Sequence, residues 1–192
     1  LQLTECNGSI KGFRHKVPSS NLVRPKTSKV RKMIFDILVS VHGMDVLDIF
    51  AGSGSLGIEA LSMGARHATF IDINPASIKS IKENLKKCEF DNSSTVIKRD
   101  FAVALRELGK QNKKFDLIFI DPPYSYFDEK TVNGIIRTAL KLSVSNGVVV
   151  CEHPKEEGVP VNARQEYHLT PPPVSTTSRS ERSPAPGRST DW

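Results

Sequence analysis

Gly52, Gly54 and Gly57 match the spacing G-x-G-x-x-G and follow directly on a short apolar run, residues 44–50 (MDVLDIF). Glycines at that spacing let the main chain turn sharply and come close to a ligand. A helix opening just beyond them presents amides with no partner of their own. The pattern is not a P-loop, because no G-K-[ST] follows. Such a turn requires a buried strand leading into it and a helix leading out, so the flanking segments must fit both.

They do. Four more short runs rich in β-branched or aromatic residues follow, at 68–73 (ATFIDI), 94–98 (STVIK), 115–121 (FDLIFID) and 147–152 (GVVVCE), as strands buried on both faces require. Helical patterns lie between them. Before the first run, Val30, Ile34, Ile37, Leu38 and Val41 fall on one helical face within residues 29–41, with Thr27 or Ser28 as cap. Further helices are expected over 56–63, from Pro75 through 87 with the stripe Ile78, Ile81 and Leu85, over 101–108 and over 131–142. Strands alternating with helices predict an α/β fold, a mostly parallel Rossmann-like sheet with helices on both faces.

Asp72 stands at the end of the second strand, 20 residues after Gly52, where a carboxylate can accept hydrogen bonds from both hydroxyls of a ribose. Three readings of the turn stay open: a tight connection without a ligand, a nicotinamide dinucleotide, or S-adenosylmethionine. Asp48 favours the third. A carboxylate at the mouth of the loop repels a pyrophosphate but suits a ligand carrying an ammonium and a sulfonium.

The fourth run leads into Asp121-Pro122-Pro123-Tyr124. Each proline fixes its own φ and restrains the residue before it, so the segment is stiff. Asp121 offers a carboxylate, Pro122 a carbonyl oxygen and Tyr124 a flat ring. Two acceptors gripping the N–H bonds of a nucleobase amine fix its plane and stabilise positive charge developing on the nitrogen, and the ring stacks the extruded base. In-line attack on a methyl donor then needs mainly positioning, with no metal and no covalent nucleophile. The plain alternative is a proline-stiffened end to a strand. Tyr126 and Phe127 are candidates to cover the base, and equally to form a mobile lid or simply to pack; Glu59 is expected to make a polar contact to the N-terminal segment, and no histidine is assigned a part.

Charge is uneven. Residues 1–32 hold eight Lys/Arg against the single acid Glu5, whereas 33–160 hold fifteen against seventeen acids. A basic arm on a nearly neutral body points to a polyanionic partner such as nucleic acid, or else to a solvated tail. Cys6, Cys88 and Cys151 form no C-x-x-C pair and read as isolated thiols of a reducing compartment. No apolar run reaches the roughly 20 residues of a membrane helix. Residues 171–192 hold five Pro, five Ser and three Thr, which predicts disorder.

Taken together, Arg24-Pro-Lys-Thr-Ser-Lys-Val-Arg31, the segment 46–65 (VLDIFAGSGSLGIEALSMGA) and 115–124 (FDLIFIDPPY) resemble the RsmD-type methyltransferases, which methylate a guanine N2 in small-subunit ribosomal RNA. The resemblance implies an S-adenosylmethionine-dependent enzyme with Gly52, Gly54 and Asp72 on the cofactor and Asp121 and Tyr124 on the base. It adds Asp100 beside the adenine, a position where the residue can also cap the helix starting at Phe101. It implies that Arg24, Lys26, Lys29 and Arg31 face RNA, either free or in an assembling small ribosomal subunit. The expected organisation is a basic segment 1–28, a methyltransferase domain 29–160 and a tail 161–192 that departs from the family's closing β-hairpin, with an unpaired sheet edge and lowered stability. A monomer without a membrane partner is expected, cytoplasmic, or organellar where a targeting segment has been removed. Rival readings are methylation of an adenine amine in another nucleic acid, a non-catalytic RNA-binding relative, and a nicotinamide enzyme, which leaves the Asp-Pro-Pro-Tyr segment unexplained.

Overall fold

The computed structural model describes residues 2–4, 9, 14–16, 28–38, 40–123, 126 and 129–151. A five-stranded sheet dominates, built from β3 (Asp45–Ile49), β4 (His67–Asp72), β5 (Ser94–Lys98), β6 (Phe115–Ile120) and β7 (Ser143–Cys151) in the order β5-β4-β3-β6-β7. All four pairings are parallel. The chain builds outward from β3 through β4 to β5, then returns to the other side of β3 for β6 and β7. The order therefore reverses between β3 and β6, the place where open α/β sheets bind ligands.

Alternation along the strands divides the core into two layers. Val46, Ala68, Phe70, Leu117, Phe119 and Val150 face α1 (Ser28–Ile37), α2 (Ser55–Ser62) and α3 (Pro75–Lys87). Leu47, Ile49, Ile71, Ile118, Ile120 and Val149 face α4 (Phe101–Lys110) and α5 (Glu129–Leu142). Both faces are covered, which is why the strands read as continuous apolar runs. Each fully buried Phe or Ile contributes about 1.5–3 kcal/mol. All eight residues of α2 are buried, so it carries no solvated face at all.

Three local departures from the sequence reading have physical causes. The first helix ends at Ile37, not at 41. A turn closed by the Met44 N–H on the Val41 carbonyl (3.2 Å) delivers Val41 to the core from a loop. The buried face of α1 is Arg31, Ile34 and Phe35, whereas Ile37 is 37% exposed. The last strand starts four residues early, at Ser143, because a register shift opposite Phe115 and Leu117 lets the chain enter the sheet directly from α5. Gly147 has room for no side chain there: a Cβ would run into Ser143 Oγ and crowd the Phe115 carbonyl. Finally, β1 (Gln2–Thr4) and β2 (Arg14–Lys16) form an antiparallel ribbon within the basic segment. Residues 161–192 lie outside the described residues.

Candidate active site

Strand register brings the two loops singled out in the sequence together. Ile49 pairs with Ile120 on neighbouring strands, so the chain leaves β3 toward Gly52 beside the point where it leaves β6 toward Asp121. The turn after β3 is held from several sides. Phe50, Gly52 and Gly54 all have positive φ, at 64°, 58° and 80°. The Ala51 N–H donates to the Ile71 carbonyl at 3.0 Å and the Gly54 N–H to the Ala51 carbonyl at 2.7 Å. From below, Asn84 Nδ2 on α3 donates to the Ser53 carbonyl at 3.1 Å. The glycines thus supply left-handed backbone at two points and close packing at a third: a Cβ on Gly57 would overlap the ring of Phe70, which is fully buried.

The aspartates bind the turn together. Asp72, half-buried at the end of β4, accepts from the Gly52 N–H at 2.8 Å and from the Asn74 N–H at 2.7 Å. Burial pushes its carboxyl above the ordinary aspartate value, although those two amides act the other way. Asp48 is buried and accepts from the Gly57 N–H at 3.1 Å, so it holds α2 against β3. Asp100 is the cap of α4, accepting from the Ala102 N–H at 2.9 Å and more loosely from Val103 at 3.4 Å. Asp121 is half-buried at the end of β6 and Pro122 is buried. The Pro123 carbonyl accepts from the Tyr126 N–H at 2.9 Å, which folds the loop back on itself. Tyr124 lies outside the described residues, as do Arg24, Lys26 and Phe127.

Sequence reasoning gives no place to Phe50 or Phe101, and none this specific to Tyr126. The three rings meet at the carboxyl edge of the sheet, with centroids 4.9 Å apart for Phe50–Phe101, 5.6 Å for Phe50–Tyr126 and 5.7 Å for Phe101–Tyr126. Each comes from a different loop: after β3, at the start of α4, and after β6. Aromatic pairs at such spacing contribute about 0.5–1.5 kcal/mol beyond their buried area. The available signal is position, since each ring sits within a few residues of a strand's carboxyl end.

Arg31 requires a correction. The resemblance turns it toward RNA with Arg24, Lys26 and Lys29, but it is 0% exposed, with Nε 3.7 Å from Oε2 of Glu59, itself 0% exposed. Arg31 shares the inner face of α1 with Ile34 and Phe35, and that face is turned toward α2. The contact expected of Glu59 with the N-terminal part of the chain is this one. Lys29 falls in the first turn of α1. Cys88 is buried, and burial raises its thiol to about 11, in keeping with an inert core residue.

The family model described as "Conserved hypothetical protein 95" matches residues 6–169. YlbH of Bacillus subtilis (strain 168) is 37% identical over 172 residues, covering 85% of this chain and 93% of that protein. Ribosomal RNA small subunit methyltransferase D of Escherichia coli (strain K12) is 30% identical over 166 residues, covering 83% and 78%. Among solved structures, hypothetical protein TTHA0928 of Thermus thermophilus superposes with a TM-score of 0.72 at 30% identity, covering 86% of this chain and 94% of that one. With a match of that extent, a central reversal point and a glycine turn facing the segment after β6, the chain belongs to the RsmD-type family of S-adenosylmethionine-dependent methyltransferases.

Proposed function

We propose that this chain transfers the methyl group of S-adenosylmethionine to the exocyclic N2 amine of a guanine in small-subunit ribosomal RNA. The observation that carries the reading is the pairing of Ile49 with Ile120, which sets the glycine turn and Asp121-Pro122 on adjoining strand tips. The residues on that edge fit the cofactor. Gly52 and Gly54 leave the main chain bare, Asp72 ends β4, Asp100 follows β5, and Asp48 lies beneath the turn. Four carboxylates, counting Asp121, suit a cationic ligand and disfavour the pyrophosphate of a dinucleotide.

S-adenosylmethionine supplies an electrophilic methyl group on a positively charged sulfur. The chain's own part is to bind, aim and exclude water. Asp72 is set to accept from the ribose hydroxyls, and Asp100 stands by the adenine. The Asp121 carboxylate and the Pro122 carbonyl each accept one N–H of the guanine amine, turning the nitrogen lone pair toward the methyl carbon. With the donor bound, positive charge would grow on the nitrogen next to Asp121 during methyl transfer, and Asp121 would stabilise it and take up the departing proton. The fixed backbone of Pro122 and Pro123 keeps these acceptors in place without reorganisation.

Methyl transfer from labelled S-adenosylmethionine to unmethylated small-subunit ribosomal RNA, followed by mass spectrometry of the nucleosides, tests this. N2-methylguanosine is the expected product. Asp121→Ala is expected to lower turnover about 100-fold or more while calorimetry finds S-adenosylmethionine binding preserved. A methylated adenine, or normal turnover by the variant, refutes the assignment.

A further inference from the structure

The composition places positive charge in the N-terminal arm, but the structure shows a second concentration that no motif marks. Helix α3 carries four lysines against one acid, Glu83. Its inner face is Ser77, Ile78, Ser80, Ile81, Asn84 and Leu85, all buried. That leaves Lys79, Lys82 and Lys86 exposed at i, i+3 and i+7, a single outward stripe rising about 10 Å along the axis. Some other surface cations are neutralised: Lys32 pairs with Asp36, Arg66 with Asp45 and Arg99 with Glu107. Among the described residues, none of the α3 lysines forms a salt bridge.

Two further facts give the stripe a context. Strand β2 (Arg14–Lys16), part of the basic N-terminal segment, lies against α3. Asn84, on the opposite side of the same helix, holds the Ser53 carbonyl of the glycine turn. Whatever docks on the outer face of α3 is thereby fixed relative to the site at the strand tips.

We propose that Lys79, Lys82 and Lys86 form a docking surface for the phosphate backbone of the substrate RNA. The proposal rests on the ribosomal RNA substrate argued above and names the part of the fold that grips it. Lysine suits this role because an ammonium is a point charge that contacts phosphate without reading sequence. The stripe then supplies affinity and register while the site selects the base.

The test compares wild type, the triple variant Lys79→Gln/Lys82→Gln/Lys86→Gln, and a control, Lys110→Gln/Lys113→Gln/Lys141→Gln. The control loses the same charge from the other face of the sheet. The probe is small-subunit ribosomal RNA transcribed in vitro, with binding measured at salt concentrations from about 50 to 200 mM. With each single-strand phosphate contact worth about 0.7 in the log–log salt slope, loss of three makes the slope shallower by about 2 and weakens binding roughly 10–100-fold near 0.1 M salt. The control is expected to keep the wild-type slope, and all three proteins the same S-adenosylmethionine affinity. An α3 variant with the wild-type slope, or a control that loses as much, overturns the docking surface while leaving the substrate in place. Failure of the wild type to methylate ribosomal RNA is a separate result that removes the substrate itself, and the docking surface with it.

Discussion

The buried Arg31–Glu59 pair makes a demanding prediction. Both side chains are fully enclosed, and Arg31 Nε lies 3.7 Å from Glu59 Oε2. At an effective dielectric near 20, unit charges at that distance attract by about 4.5 kcal/mol. Glu59→Gln preserves shape but removes the negative charge, and it leaves a guanidinium enclosed away from water without that carboxylate. Breaking one partner of such a pair costs about 3–5 kcal/mol, a large share of the 5–15 kcal/mol typical of a domain. For a chain of this length that corresponds to a fall in Tm of about 10–15 °C. Arg31→Met is expected to cost a similar amount for the complementary reason. The double variant Arg31→Met/Glu59→Leu, which removes both charges and keeps the volume, is expected to recover most of the loss. Urea denaturation of the wild type, the double variant and its two component single variants gives the coupling energy directly, with an unchanged m-value as the check that unfolding stays cooperative. A coupling below about 1 kcal/mol, or two single variants that melt like wild type, would show that the pair does not anchor α1 to α2, and the reasoning would fail.

Two further outcomes follow from the turn. Gly57→Ala drives a methyl group into the enclosed ring of Phe70, so it is expected to destabilise the fold by about 1–3 kcal/mol; melting unchanged from wild type counts against that packing. Asp72 has a folded-state pKa raised by burial, so the folded state holds that proton more tightly than the unfolded chain does. Its ionisation therefore costs stability as pH rises through the raised value, and the cost is absent below the ordinary aspartate range, where both states are protonated. The stability of Asp72→Asn relative to wild type is expected to grow between acid and neutral pH while S-adenosylmethionine binding weakens. A difference independent of pH, read by denaturation across that range, refutes the burial argument.

What can be read from the sequence is local. Gly52, Gly54 and Asp72 are legible because glycine takes positive φ without strain and so marks a tight turn, and because strand length fixes where the next carboxylate falls. The adjacency of β3 and β6 follows from the general rule for reversing parallel sheets, and the register of Ile49 with Ile120 agrees. Arg31 is misread when its charge is counted without its phase. Counting three and four residues on reaches Ile34 and Phe35, both buried, so the residue belongs to the helix's apolar face. The β1–β2 ribbon escapes notice because Gln2–Thr4 and Arg14–Lys16 are each only three residues long, too short for a period to show. The aromatic cluster is invisible because its members are 25 to 76 positions apart, and nothing nearby in sequence links Phe50, Phe101 and Tyr126.

That cluster has a consequence for how the enzyme can be altered. The connections after β3, β5 and β6 meet at one knot of rings, so a change in one is felt by the others. Swapping any one of them for the loop of a distant relative disturbs the other two, and changes made singly will not sum to the effect of changes made together. Remodelling that edge of the scaffold therefore has to move the three connections as a set.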